Sequence, residues 1–148
     1  MATLGNVSLR GIYVEAAQVT FLGSGTLTTA DVGKAVTLDT GAANTVKLAG
    51  DAEDILGQIV SVENRVQDGV TTVGVALAGG YKFTVNPDAT AATPDETPAV
   101  GDYLEGATNN AGAKGFVQKR QAGSAAVRTN WQVVEVLDSG ASVVAIKF

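Results

Sequence analysis

Turn-forming residues interrupt this chain so often that no amphipathic helix of three turns fits anywhere between them. Asp39-Thr40-Gly41, Gln67-Asp68-Gly69, Gly79-Gly80 and Asp138-Ser139-Gly140 separate runs rich in β-branched residues. Glycine and Asx residues supply the backbone conformations of tight turns, and β-branched runs between them pack well as strands. The spacing predicts an all-β chain of many short strands, arranged as a compact β-barrel or sandwich-like domain.

Tyr13 to Phe21 reads as the first strand, preceded by an extended N-terminal arm over 1–12. Thr28 or Thr29 caps a single helical turn that Gly33 ends. Ala35 to Leu38 and Thr45 to Leu48 are two short strands, followed by an acidic loop at Asp51-Ala52-Glu53-Asp54. Ile55 to Glu63 and Val70 to Leu77 form a hairpin, since Asp-Gly between two such runs is a strong turn signal. Gly79-Gly80 turns the chain into Tyr81 to Val85. Residues 86–99 contain every proline of the chain, Pro87, Pro94 and Pro98, among Ala and Thr. Proline cannot donate to a ladder, so this is expected to be an exposed loop within a single β domain over 13–148. A strand resumes at Tyr103-Leu104-Glu105, and Ala107 to Gly115 reads as another loop. Trp131 to Leu137 and Ser142 to Phe148 make a last hairpin, the second arm with period-two alternation.

Composition narrows the chemistry. At 148 residues the chain can bury a core without staples. It has no cysteine and no histidine. That removes thiolate sites, the usual zinc ligand and any Ser-His or Cys-His nucleophile pair. A net charge of −5 lacks the basic footprint that nucleic acid requires. Charged residues are 17% of the chain, against roughly 25% in ordinary domains, so a neutral surface is expected. The first residues show no charged start followed by an apolar run, and no stretch approaches the ~20 apolar residues that span a bilayer. The expectation is a soluble protein made in a cytoplasm, with no membrane partner and no cofactor.

One repeated pattern looks catalytic. Leu38-Asp39-Thr40-Gly41-Ala42 and Leu137-Asp138-Ser139-Gly140-Ala141 share Leu-Asp-(Thr/Ser)-Gly-Ala, which resembles the active-site loop of aspartic proteases. That chemistry needs two carboxylates close enough to share a proton. Asp-(Thr/Ser)-Gly is also ordinary turn chemistry, and both copies fall between β runs, where hairpin turns are expected. The reading is therefore paired turns and no enzyme. Asp51, Glu53 and Asp54 have oxygens of the kind calcium prefers, but without EF-hand spacing they read as a solvated turn. Lys114, Lys119, Arg120 and Arg128 form a basic stretch suited either to an acidic partner surface or to solvent. Trp131, the sole tryptophan, reads as core.

The segment Thr29-Ala30-Asp31-Val32-Gly33-Lys34-Ala35-Val36, then Asn44 to Asp51, then Ile55-Leu56-Gly57-Gln58-Ile59-Val60-Ser61-Val62-Glu63 resembles the head decoration, or capsid cement, proteins of tailed phages. Val73-Gly74-Val75 and Val100-Gly101-Asp102 are similar in style, so the likeness covers roughly residues 26–105. The resemblance implies a barrel-like domain that docks on the outside of an assembled capsid and stabilises it, with no catalytic residues to carry over. It implies the major capsid protein as partner, a virion location and a homo-oligomer, trimer or dimer. A tail or fibre β module, and a carbohydrate-binding β domain or aspartic-protease-like enzyme, are the alternatives. Capsid-contact candidates are Met1, Ala2, Thr3, Leu4, Val7, Leu9, Arg10 and Ile12 on the arm, and Lys119 and Arg120 on the domain.

Overall fold

Ten strands alternate with short turns in the computed structural model, which describes residues 18–25, 27–92, 94–126 and 131–147. They are β1 (Gln18–Gly23), β2 (Ala35–Leu38), β3 (Thr45–Leu48), β4 (Gly57–Arg65), β5 (Val70–Ala76), β6 (Gly79–Thr84), β7 (Leu104–Ala107), β8 (Phe116–Lys119), β9 (Gln132–Leu137) and β10 (Ser142–Lys147). Among the described residues, helix is confined to three single 3-10 turns. The expected arm over 1–12 lies outside the described residues, as do Tyr13 to Ala17 of the expected first strand.

Strands β1, β3, β2, β4 and β5 close into a barrel in that order. Its pairings are antiparallel except β1 with β3, where Leu22 faces Thr45 and Gly23 faces Val46. Closure settles the choice between barrel and sandwich. A three-stranded sheet, β6-β10-β9, and the β7-β8 hairpin stand beside the barrel. Inside the barrel lie Leu27, Val36, Val46, Ile59, Val73 and Val75. A second core joins Ala35, Ala49 and Ile55 to Phe83, Leu104, Val117, Trp131, Val133 and Val143. Burying a side chain of Val, Leu, Ile or Phe size stabilises by about 1.5–3 kcal/mol. Trp131 is fully buried, with edge-on contacts to Phe83 at 5.1 Å and Tyr81 at 6.2 Å.

Local chemistry explains the elements. Thr28, rather than Thr29, caps the first 3-10 turn. Its hydroxyl accepts from the Ala30 N–H at 3.3 Å, while Asp31 Oδ2 accepts from the Thr28 N–H at 2.9 Å. Gly33 follows at φ 91°. The β4-β5 hairpin turns at 66–69 with Gly69 at φ 66°, as Asp-Gly demands.

Three expectations need correction. Gly79 and Gly80 belong to β6 and pair with Lys147 and Ile146, so the turn precedes them. Phe116–Lys119 is a strand that the sequence reading passed over, and it places Lys119 in a sheet rather than a loop. Residues 86–99 are not uniformly exposed, because Asn86, Ala89 and Pro98 are buried. The prolines do keep the segment out of the sheets, but its backbone is satisfied elsewhere. The Glu96 N–H donates to Ala89 O at 3.1 Å, and the Lys119 N–H donates to Glu96 O at 2.8 Å.

Close packing at Gly57 supplies a test. A Cβ there would lie 2.1 Å from Ala76 O and 2.8 Å from Val75 Cγ1, whereas one at Gly80 would meet only Ile146 Cγ2 at 3.5 Å. Gly57→Ala should lower unfolding free energy by about 3 kcal/mol in urea melts, and Gly80→Ala should be nearly neutral.

Candidate functional site

The two Leu-Asp-(Thr/Ser)-Gly-Ala loops sit in different sheets and serve as hairpin turns. Asp39 closes the β2-β3 turn. Its N–H donates to Thr45 O at 2.9 Å, and its Oδ1 accepts from the Gly41 N–H at 3.0 Å. The Gly41 N–H, the Ser24 hydroxyl and the charge of Lys47 hold the Asp39 carboxyl below the usual carboxylate range. Asp138 lies in the β9-β10 turn, where Asp138, Ser139 and Gly140 all have positive φ. Its Oδ2 meets Lys82 Nζ at 2.8 Å and accepts from the Ser142 hydroxyl at 2.6 Å. Lys82, followed by Ser142, lowers its pKa. Two carboxylates that share a proton need one raised pKa; both of these are lowered, each by partners of its own.

The acidic loop is likewise engaged locally. Asp51 Oδ1 accepts from the Thr108 N–H at 2.6 Å. Glu53 accepts from Lys47 Nζ at 2.8 Å and from the Gly50 N–H at 2.7 Å. These oxygens point to separate partners. Of the basic candidates, Lys119 Nζ stands 3.5 Å from Asp102 Oδ2, and the Arg120 guanidinium lies 4.9 Å above the Tyr103 ring. The fold brings Lys119 and Arg120 beside Tyr103 and Asp102, but the arm candidates Met1 to Ile12 lie outside the described residues.

A cleft of about 460 Å³ opens where the 86–99 segment crosses β7 and β8, and no sequence signal marks it. Asp51, Asp88, Glu96 and Glu105 line it with Gln118 and Ser124. Glu105 is 2% exposed. Its Oε1 accepts from Gln118 Nε2 at 3.0 Å and its Oε2 from the Ser124 hydroxyl. Burial, and then the charges of Glu105 and Asp51, push the Glu96 carboxyl above its ordinary value. A raised carboxylic acid near a buried carboxylate is an acid-base pattern in outline. Here, however, Glu105 is held on both oxygens by neighbours that fix it as part of the wall. These residues come from positions up to 73 apart in the chain (Asp51 and Ser124), which is why inspection of local motifs missed them.

The other distinctive surface is an open sheet edge. β9 lies at the margin of its sheet. Only its first residues are covered: the Gly101 N–H donates to Val133 O at 2.8 Å, and the Val133 N–H donates to Asp102 O at 2.9 Å. Beyond them no strand pairs with its outer side among the described residues, and Val134 and Val136 are 44% and 38% exposed. Among the described residues no helix is long and apolar enough to cross a membrane.

Comparison with family models, with curated proteins and with solved structures finds no match.

Two pH experiments follow from the carboxylates. The folded pKa of Asp138 is depressed, so its contribution to stability is present above the unfolded value and is lost as pH falls through the folded one. Asp138→Asn should therefore lower the melting temperature at neutral pH, and the gap to the parent should close in acid. Glu96 has the opposite sign. With its folded pKa raised, its contribution is fully present below the unfolded pKa and is lost as pH rises through the folded value. Glu96→Gln should melt above the parent at neutral pH, and that advantage should vanish in acid.

Proposed function

We propose that this protein is a non-enzymatic decoration protein that binds the outside of an assembled tailed-phage capsid and stabilises it. The observation that carries the reading is where the resemblance falls. Residues 29–63 build one continuous piece of architecture: the capped turn, β2, β3 and β4, the wall that both cores share. The matching residues are thus structural, as a likeness between binding modules requires, and none of them supplies chemistry. The engaged carboxylates of both Asp-containing turns favour the same reading.

Binding an assembled shell and not its separate subunits stabilises the shell by linkage. Copies joined as a dimer or trimer add avidity without new contacts, because the second attachment becomes intramolecular. The contact is assigned to Met1–Ile12, whose single charge is Arg10, with Lys119 and Arg120 as candidates on the domain. Contact with the major capsid protein needs no cofactor.

Co-sedimentation of the purified protein with empty shells of its own phage tests this. The full chain should pellet with shells and raise their melting temperature. Deleting Met1 to Ile12 should weaken binding about tenfold, which is about 1.4 kcal/mol, while the domain still melts cooperatively. Failure of the full chain to bind any shell would refute the reading. Undiminished binding after the deletion would move the contact to the domain.

A further inference from the structure

The three-stranded sheet β6-β10-β9 packs only one of its faces into a core. Along β10, its middle strand, Val143 and Ala145 are fully buried in the second core. Side chains alternate across a strand, so Val144 and Ile146 lie on the outer face, and they belong to neither core. Register places Lys82 of β6 on one side of Val144 and Glu135 of β9 on the other. In the next row Gly80 stands beside Ile146 and adds no side chain to the surface. The face is therefore apolar along its middle, with a cation on one margin and an anion on the other. Within one copy these charges do not meet: two strand spacings, about 10 Å, separate them across Val144. Among the described residues no ion pair involves Glu135. Lys82 Nζ meets Asp138 Oδ2 at 2.8 Å, but the side chain is 56% exposed, and an ammonium group has three donors to share.

That layout is complementary to itself. We infer that the outer face of β6-β10-β9 is the contact between two copies of this chain, related by a two-fold axis that runs along β10. The rotation sets Val144 against the partner's Val144 and Ile146 against the partner's Ile146. It also carries β6 of one copy over β9 of the other. Lys82 then faces the partner's Glu135, and Glu135 faces the partner's Lys82. A two-fold axis across the strands would stack Lys82 on Lys82 and Glu135 on Glu135, so charge selects the first arrangement. Sheets packed face to face keep their strands within about 30° of each other and lie about 10 Å apart, a gap that lysine and glutamate side chains bridge together. The face measures roughly 15 by 20 Å. That is well under the ~800 Å² which each partner contributes to a standard interface, so the pairing is weak in dilute solution. On the reading proposed above, neighbouring copies on a shell would gain from their high local concentration.

The chain has no cysteine, so one introduced thiol reports the contact. Val144→Cys, treated with a short bis-maleimide at high protein concentration, should give a product at twice the 14.9 kDa monomer mass. It should form about tenfold faster than the product from Val66→Cys, a position 88% exposed on the β4-β5 turn that reacts only by collision. Adding Lys82→Glu or Glu135→Lys to the Val144→Cys chain should reduce the rate to the collisional level, because either change sets like charges face to face. An equal mixture of the two charge variants should recover the fast rate, since every pair between unlike copies is then opposite in sign. Misfolding of a variant would not be repaired by mixing. A Val144→Cys rate no higher than that of Val66→Cys, charge variants as fast as the parent, or a mixture that stays slow would each overturn the assignment. No shell is present, so failure here leaves capsid binding standing, and failure to bind shells leaves this contact standing.

Discussion

The wall made by β2, the end of β3 and the start of β4 is buried on both faces, and the rest of the molecule is arranged around that fact. Adjacent residues serve different cores: Val36 faces the barrel and Ala35 the second core; Leu48 and Ala49 divide in the same way, as do Leu56 and Ile55. Side chains alternate across a strand, so a slip of one residue would exchange the two sets. The cores differ in size and shape, one filled by valines and the other by Trp131 and Phe83, so such a slip has no good packing. Glycine is required where a second layer comes closest. A Cβ at Gly106 would fall 2.5 Å from Gly50 O, just as one at Gly57 would strike Ala76 O.

Charge is used sparingly and locally. Most described carboxylates close a turn or meet a nearby amide or lysine: Asp31 with Lys34 at 2.7 Å, Glu53 with Lys47, Asp102 with the Ala99 N–H at 2.8 Å. Turns ordered in this way give short, stiff connections between the strands. The buried Glu105 is the exception. Burying a carboxylate is costly, and the Gln118 amide and Ser124 hydroxyl offset that cost by anchoring β7, β8 and the loop after them to one another.

The same turns show how a catalytic motif and a structural one can coincide in sequence. Asp-(Thr/Ser)-Gly suits a protease loop because it makes a tight turn with a supported carboxylate, and a hairpin needs the same properties. What separates the two uses is whether a second carboxylate lies across from the first, a relation between distant parts of the chain. Here Asp39 faces Ser24 and Lys47, while Asp138 faces Lys82 and Ser142.

Local sequence determined most of the strands. β2 and β3 begin and end where their β-branched runs do, and the Asp68-Gly69 and Asp138-Ser139-Gly140 turns lie where their residues favour positive φ. These features depend on near neighbours, so they can be read from a short window. The sequence also shows, by having no histidine and no cysteine, that the chain carries no imidazole and no thiol. Tertiary structure alone decided the rest. β8 escaped notice because it is four residues long and carries Gln118 and Lys119, a polar pair that makes sense only against Glu105 and Asp102. The 86–99 segment was half buried by contacts with β8 that no local pattern announces. Barrel closure through the parallel β1-β3 pair, the carboxylate-lined cleft and the open β9 edge all depend on which distant strands meet. That choice is made by the volumes of two cores filled at once, a property of the whole chain.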